Sequence, residues 1–320
     1  MKIIGIGNAL VDVLTQLESD DLLRELELPK GSMQLVDATR SAQIQEKSKT
    51  LKKQMASGGS AANTIHGLAK LGMETAFIGS VGKDETGRFF EEDLKASGIL
   101  PVLFHNDSPS GIANGMISPD GERSFGTFLG AALELSADML KPEHFLGYDL
   151  IHVEGYLVQN HVLLERILKL AKENGLKVSL DLASYNVVEE NLEFLRDMVS
   201  KYVDIVFANE EEAKAFSGEE PRLALDYIAR HTDIAVVKVG SQGSMVKQGN
   251  QVVNIQPIKA QAIDSTGAGD LYASGFLYGM VNELGFEKAG NIGSLLSGTV
   301  IEVLGAKFGE DKWGEIRKMI

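Results

Sequence analysis

Asp149-Leu150-Ile151-His152-Val153-Glu154, then His161 to Asn174, then Lys177-Val178-Ser179-Leu180-Asp181 make up the stretch on which the fold turns. The first and last segments are short apolar runs, as expected of strands buried on both faces. Between them Leu163, Leu164, Ile167, Leu168 and Ala171 form one helical stripe. Gly175 follows it, where a left-handed helix cap is wanted. Strand, helix, strand is the unit of a parallel sheet, and the pattern repeats outward. Further strands are expected at 2–7, 75–79, 204–208 and 234–239, and two later helices at about 270–283 and 287–303. Such alternation predicts an α/β fold, a doubly wound and mainly parallel sheet with flanking helices.

Two regions depart from it. Residues 10–37 and 101–129 carry short alternating stretches, such as Ser32 to Val36 and Ile112 to Ser118, with a turn signal at Pro119-Asp120-Gly121. They are expected to form a small β-sheet lid, inserted into a single domain spanning 1–320, since no low-complexity linker or internal repeat separates them. The 320 residues are 44% hydrophobic and 24% charged, ordinary values for a globular protein. A net charge of −14 argues against general nucleic-acid binding, whose affinity comes from phosphate contacts by cations. Cysteine is absent, which removes disulfides, thiolate zinc and a cysteine nucleophile. No apolar run has the length of a membrane span and the first residues read as a strand, so a cytoplasmic protein with no membrane partner is expected.

The chemistry is concentrated in Asp264-Ser265-Thr266-Gly267-Ala268-Gly269-Asp270, directly before an apolar helix pattern. Gly-Ala-Gly at a helix start leaves N–H groups unpaired and unobstructed, at the positive end of the helix dipole, where phosphate oxygens are welcome. Asp270 falls in the first turn beside them, placed to take a proton from a hydroxyl attacking phosphorus. Alone, Gly-Ala-Gly-Asp is equally a plain helix start with a favourable first-turn acid.

Taken whole, Asp264 to Asp270 resembles the carboxy-terminal signature of the ribokinase-like (PfkB carbohydrate kinase) family. That resemblance implies a kinase using ATP and magnesium, with Asp270 as catalytic base and the amides of Gly267, Ala268 and Gly269 as an anion hole. It extends over nearly the whole chain. Ser57 to Asn63 resembles the family's Gly-Gly motif, implying sugar contacts from Gly58, Gly59 and Asn63. Gly79 to Gly87 resembles its Gly-x-Val-Gly-x-Asp-x-x-Gly. Asn209-Glu210-Glu211-Glu212 resembles its Asn-x-x-Glu, implying that Asn209 and Glu212 organise magnesium through water beside the nucleotide. Lys238 to Gly243 resembles the turn along the nucleotide, implying contacts from Lys238, Gly240, Ser241 and Gly243. By the same analogy, carbonyls of Asp264 and Thr266 contribute to a monovalent-cation site, for example for potassium. Read without the family, Glu210 to Glu212 is a solvated first helical turn and Gly240 to Gly243 a hairpin turn.

The acceptor is read from the same resemblance. Asp12 matches the family's sugar-diol acid. Asn8 with Leu10 looks more like adenosine kinases than ribokinases, and Gly31 to Leu35 resembles the bacterial adenosine-kinase-like branch. Gly121 to Ala131 resembles the adenosine-kinase segment whose Arg reaches the transferring phosphate, which implies that role for Arg123. Leu35, Phe125, Phe128 and Tyr156 are available to line a slot for a nucleobase. A nucleoside such as adenosine is therefore the expected acceptor, with a free sugar as the alternative. Both a monomer and a homodimer through the lid stay open. Gly82 to Gly87 is not a Walker A loop, because Arg88-Phe89 stands where Lys-Ser/Thr is required. Leu10 likewise removes Gly5 to Leu10 from the dinucleotide fingerprint. Asp181-Leu182-Ala183-Ser184 lacks the Asp-Pro-Asn of many sugar kinases, leaving Asp181 a weak metal-shell candidate.

Overall fold

A computed structural model describes all 320 residues, with fourteen strands in two sheets. In chain order these are β1 (Lys2–Ile6), β2 (Leu10–Gln16), β3 (Met33–Leu35), β4 (Lys53–Gly58), β5 (Glu74–Gly82), β6 (Ile99–Asn106) and β7 (Gly111–Ile117). They continue as β8 (Arg123–Phe128), β9 (Leu150–Glu154), β10 (Lys177–Asp181), β11 (Ile205–Asn209), β12 (Ile234–Lys238), β13 (Ser244–Gln248) and β14 (Gln251–Ile255). The α-helices are α1 (Asp21–Glu25), α2 (Ala38–Lys47), α3 (Ser60–Lys70), α4 (Glu85–Ala96), α5 (His161–Glu173) and α6 (Tyr185–Glu190). After them come α7 (Leu192–Tyr202), α8 (Glu210–Ser217), α9 (Pro221–Ile228), α10 (Ala268–Val281), α11 (Phe286–Val300) and α12 (Glu310–Met319).

The nine-stranded sheet has the order β14-β13-β12-β11-β10-β9-β1-β5-β6. It is parallel from β6 to β12, and β13 and β14 close one edge antiparallel. Successive residues alternate between two cores, as the period of a strand demands. Ile4, Ile6, Ile151, Val153, Val206 and Val237 face the helices α5, α7, α8 and α9. Ile3, Phe77, Leu150, Phe207 and Val236 face α3, α4, α10 and α11. Helix α10 lies almost backbone to backbone on α11. A Cβ on Gly275 would come within 2.6 Å of Gly293, and one on Gly279 within 2.5 Å of Ala289. No helix is long and apolar enough to cross a membrane.

The five-stranded sheet, β3-β8-β7-β2-β4, covers one end of the larger one. Four of its strands fall within the expected ranges, and two details differ. Residues 101–106 belong to β6, which pairs with β5 and extends the main sheet instead of the lid. The fifth lid strand is β4, outside the expected ranges and antiparallel to β2. As an edge strand with Gln54 and Met55 exposed, it has no need of an alternating apolar pattern, so its sequence gave no strand signal. Behind this sheet α1 and α2 enclose a separate small core of Leu17, Leu23, Leu26, Leu28, Ile44 and Met116.

Candidate active site

The strand order reverses beside β1, whose neighbours β5 and β9 lead away in opposite directions. Crevices at such a switch, outside the carboxyl ends of the strands, are where open α/β sheets take ligands. Polar side chains gather at that edge. Asn8 follows β1, Glu154 ends β9, Asp181 ends β10, Asn209 ends β11 and Lys238 ends β12. A cavity of about 450 Å³ among Leu150, Ile205, Ile234 and Phe286 opens at the opposite, amino-terminal edge, away from these groups.

Helix α10 points its start into this crevice. Gly267 caps it at φ +75°, and a Cβ there would meet Ala306 at 2.5 Å, so both conformation and space call for glycine. The N–H groups of Gly267, Gly269 and Asp270 find no acceptor in the chain, whereas that of Ala268 donates to Ser265 O (3.2 Å). Asp270 is half-buried in the first turn. Its Oδ1 accepts from Ser60 Oγ (2.7 Å) and its Oδ2 from Asn63 Nδ2 (3.0 Å), both on the first turn of α3. Burial pushes Asp270 up to about 6 against these two hydrogen bonds, with Asp181 adding to the rise and Lys238 opposing it. A carboxylate of that strength is ionised at neutral pH yet basic enough to take up a hydroxyl proton.

Lys238 lies between that helix start and the carboxylates. Its Nζ donates to Asp181 Oδ2 (3.0 Å) and sits 3.0 Å from where a Cβ on Gly269 would be. Burial pulls its pKa down, but Asp181 and Glu212 outweigh this and hold it at about 12. Asn209 and Glu212 form a reciprocal cap on α8. Glu212 N donates to Asn209 Oδ1 (2.8 Å), and Asn209 N and Nδ2 donate back to the carboxylate at 2.8 and 2.7 Å. Glu212 is buried and pushed up to about 7, chiefly by that burial and then by Asp181. Two buried carboxylates that repel each other, with one amide beside them, suit a hydrated magnesium ion, which needs few protein oxygens. Gly240, Ser241 and Gly243 form the turn of the β12–β13 hairpin, with Gly240 and Ser241 exposed at the rim.

The lid supplies the other wall. Asp12 of β2 lies directly against Gly58, where any Cβ would collide with its carboxylate. Gly59 takes φ +94°, turning β4 into α3 under the Asn8 carbonyl. Burial pushes Asp12 up to about 7, with Lys307 the main opposing charge. Asn8 donates its Nδ2 to Glu154 Oε1 (2.7 Å), while Glu154 Oε2 accepts from Ala61 N (3.1 Å). Arg123 of β8 reaches down to Asp264, Nη1 to Oδ2 at 2.6 Å, and to Thr266 Oγ1 at 3.2 Å. Its Nε and Nη2 are buried with no partner, as is Asn63 Oδ1. Two donor nitrogens of one guanidinium, carrying three N–H groups, and one amide oxygen are thus left for something other than the chain. Asp264 shapes the loop before α10: its Oδ1 accepts from Thr266 N and Oγ1, and its Oδ2 from Gly305 N (2.7 Å).

Asn8, Asp12, Gly58, Gly59, Asn63, Arg123, Asn209, Glu212, Lys238, Asp264, Thr266 and Asp270 are therefore gathered at one end of the main sheet beside the lid strands, with the hairpin glycines at the margin. The apolar slot is less complete. Phe125 shares the Gly115 face with Leu14, but strand alternation puts Phe128 on the opposite side, and Tyr156 packs on the main core. Gly82 to Gly87 is a structural corner, in which Asp84 caps α4 and binds Ser110. Glu154, Ser60 and Lys307 escaped notice. The position of Glu154 at a strand's carboxyl end was a usable signal; Lys307 lies in an irregular segment that offered none.

The chain and its fold have counterparts among known proteins. A protein of Archaeoglobus fulgidus described as an uncharacterized sugar kinase is 30% identical over 245 residues, covering 76% of this chain and 97% of that one. Adenosine kinase 2 of Arabidopsis thaliana is 25% identical over 336 residues, covering 96% of each. The crystal structure of adenosine kinase from Sinorhizobium meliloti superposes with a TM-score of 0.88 at 30% identity, covering 100% of this chain and 99% of that one. The pattern of the pfkB family carbohydrate kinases matches residues 31–313, and the chain belongs to that family, as a phosphotransferase acting on an alcohol group.

Proposed function

We propose that this kinase transfers the terminal phosphoryl group of ATP to the ribose hydroxyl of a nucleoside, adenosine being the first acceptor to try. The observation that carries the reading is Asp270, half-buried, at about 6, and beside three open amides. The acceptor oxygen attacks the γ-phosphorus, the bond to the bridging β–γ oxygen breaks, and ADP leaves. Asp270 takes the acceptor's proton. The amides around Gly267 to Asp270, with Lys238 and the two unpaired donor nitrogens of Arg123, meet the charge that develops on the moving group. Kinases of this family generally take ATP with magnesium. Asn209, Glu212 and Asp181 would hold the ion through water, where it neutralises triphosphate charge. Gly240, Ser241 and Gly243 flank the nucleotide. The carbonyls of Asp264 and Thr266 accept no hydrogen bond from the chain, which suits a monovalent cation.

Asp12 and Asn63 are read as the acceptor's diol and hydroxyl anchors, with Asn8, Gly58 and Gly59 shaping the floor. Phe125 and Leu14 on the cleft face of the lid, with the likeness to adenosine kinases over both full chains, support a nucleoside. A free-sugar acceptor is the second reading, favoured by the sugar-kinase relative and by the incomplete slot. Residues 1–320 act as one domain. The lid's edge strands β3 and β4 leave Met33, Leu35 and Met55 exposed, so a homodimer through the lid stands beside a monomer. With ATP and magnesium present, adenosine should be phosphorylated well ahead of ribose and fructose. Turnover of ribose or fructose with adenosine ignored would overturn the nucleoside reading.

A further inference from the structure

Between α11 and α12 the chain runs as an irregular strap, residues 301–309, that touches both walls of the cleft. Gly305 N–H donates to Asp264 Oδ2 (2.7 Å), and Ala306 packs on Gly267. One residue on, Lys307 Nζ donates to Ser57 Oγ (2.6 Å) and to Asp93 Oδ2 (2.7 Å), while Ser57 N–H donates to the same Asp93 oxygen (2.9 Å). The strap is then anchored by Phe308 stacked on buried Trp313, their ring centroids 4.3 Å apart. A lysine only 18% exposed thus fixes the residue that leads into Gly58-Gly59, on which Asp12 lies.

We propose that Lys307 is a positioning residue for the acceptor: it fixes the Ser57-Gly58-Gly59 edge and supplies the positive charge that keeps Asp12 ready to receive two neighbouring hydroxyls. This rests on the reading of Asp12 as the acceptor's diol anchor. The charged groups facing Asp12 are Lys307 from the strap, Asp270 from α10, Arg123 from β8 and Asp264 from the loop before α10. Around Lys307 itself stand Asp93 of α4 and Lys70 of α3, with His66 of α3 nearby. Two cations therefore balance two further carboxylates at Asp12, and burial already pushes it up to about 7. Without Lys307 only Arg123 would remain, and Arg123 is committed to Asp264. Asp12 would then hold its proton to higher pH and present one acceptor oxygen where two are wanted.

The test compares Lys307→Met with Lys307→Arg, using adenosine and ribose as acceptors. The methionine variant should raise acceptor KM at pH 7 by about 10- to 100-fold with a much smaller change in kcat and an unchanged KM for ATP. The pH midpoint of kcat/KM for the acceptor should move up by about one unit, so that raising the pH recovers binding. The arginine variant should restore most of both. A second arm needs no acceptor: in protein labelled with ¹³C at the aspartate carboxyls, the resonance lost in Asp12→Asn should titrate at higher pH in Lys307→Met. If neither adenosine nor ribose is phosphorylated by the unaltered enzyme, the functional reading fails while this arm still decides the role of Lys307. An unmoved Asp12 midpoint overturns the proposal, as does an equal loss in every kinetic constant without a pH shift. Should Lys307→Met fail to fold, Lys307→Gln carries the same expectations.

Discussion

The two sheets face the same cleft, and they are built to different standards. The nine-stranded sheet is buried on both faces by two cores of 36 and 26 residues, so a side chain at the end of one of its strands is held from every side. The five-stranded sheet has a separate core of six residues behind it, and joins the larger cores chiefly through Val11 and Val13 of β2. On the reading proposed above, Asp270, Lys238 and the amides that meet the phosphoryl group sit on or beside the first, and Arg123 reaches in from β8 of the second. On the same reading, the groups that select an acceptor are shared with the second, whose own core is the smaller. That reading would assign rigidity to the chemistry and compliance to recognition, the division expected where a lid must admit a substrate and then exclude water.

That contrast can be broken most severely on its rigid side. Asp270→Asn should lower kcat by about two to four orders of magnitude while leaving ATP binding nearly intact, as seen by isothermal titration of nucleotide. The amide keeps the shape and a partner for Ser60, so a near-normal kcat would mean that the proton goes elsewhere. On the compliant side, Ile44→Ala should cost about 2–4 kcal/mol locally, because a core of six cannot refill the space. Hydrogen exchange should then accelerate in β2, β7 and β8 with β9 to β12 unchanged. Uniform acceleration through both sheets would make them one cooperative unit.

Smaller effects sharpen the contrast. Phe125→Ser removes apolar surface from the cleft face of the lid, and should lower kcat/KM for adenosine by about 10- to 100-fold with ribose hardly affected. Equal losses for both acceptors would point to lid stability instead. The pH dependence of kcat at saturating acceptor should show an acid limb near 6. Asp270 must be ionised to accept a proton, so activity falls about tenfold per unit as pH drops below that value. A profile flat from pH 5 to 8 would remove Asp270 from the role.

Much of this was legible in the residues, for reasons that differ by region. The main sheet announces itself because strands buried on both faces are continuous apolar runs, and Ile205 to Ala208 could hardly be anything else. The start of α10 was legible because Gly267 has both a positive φ and no room for a Cβ, and such positions admit little but glycine. The lid was harder. β4 is an edge strand with no apolar rhythm, and β6 reads as a lid strand because it is a half-exposed edge of the main sheet. Lys307 was invisible for another reason, and Glu154 showed only its place at a strand's carboxyl end. A buried charge is recognised by its partners, and Asp93, Ser57, Asn8 and Ala61 lie tens to hundreds of residues away along the chain.

The contact of α10 with α11 has a mechanical consequence. Where Gly275 rests on Gly293 and Gly279 on Ala289, no methyl-sized slack exists between the two axes, and packed interiors do not stretch to make it. The two helices therefore resist sliding past one another, which braces the three amide hydrogens at the tip of α10. Travel that brings the two reactants into line costs less when it comes from the roof than from so tightly joined a foundation.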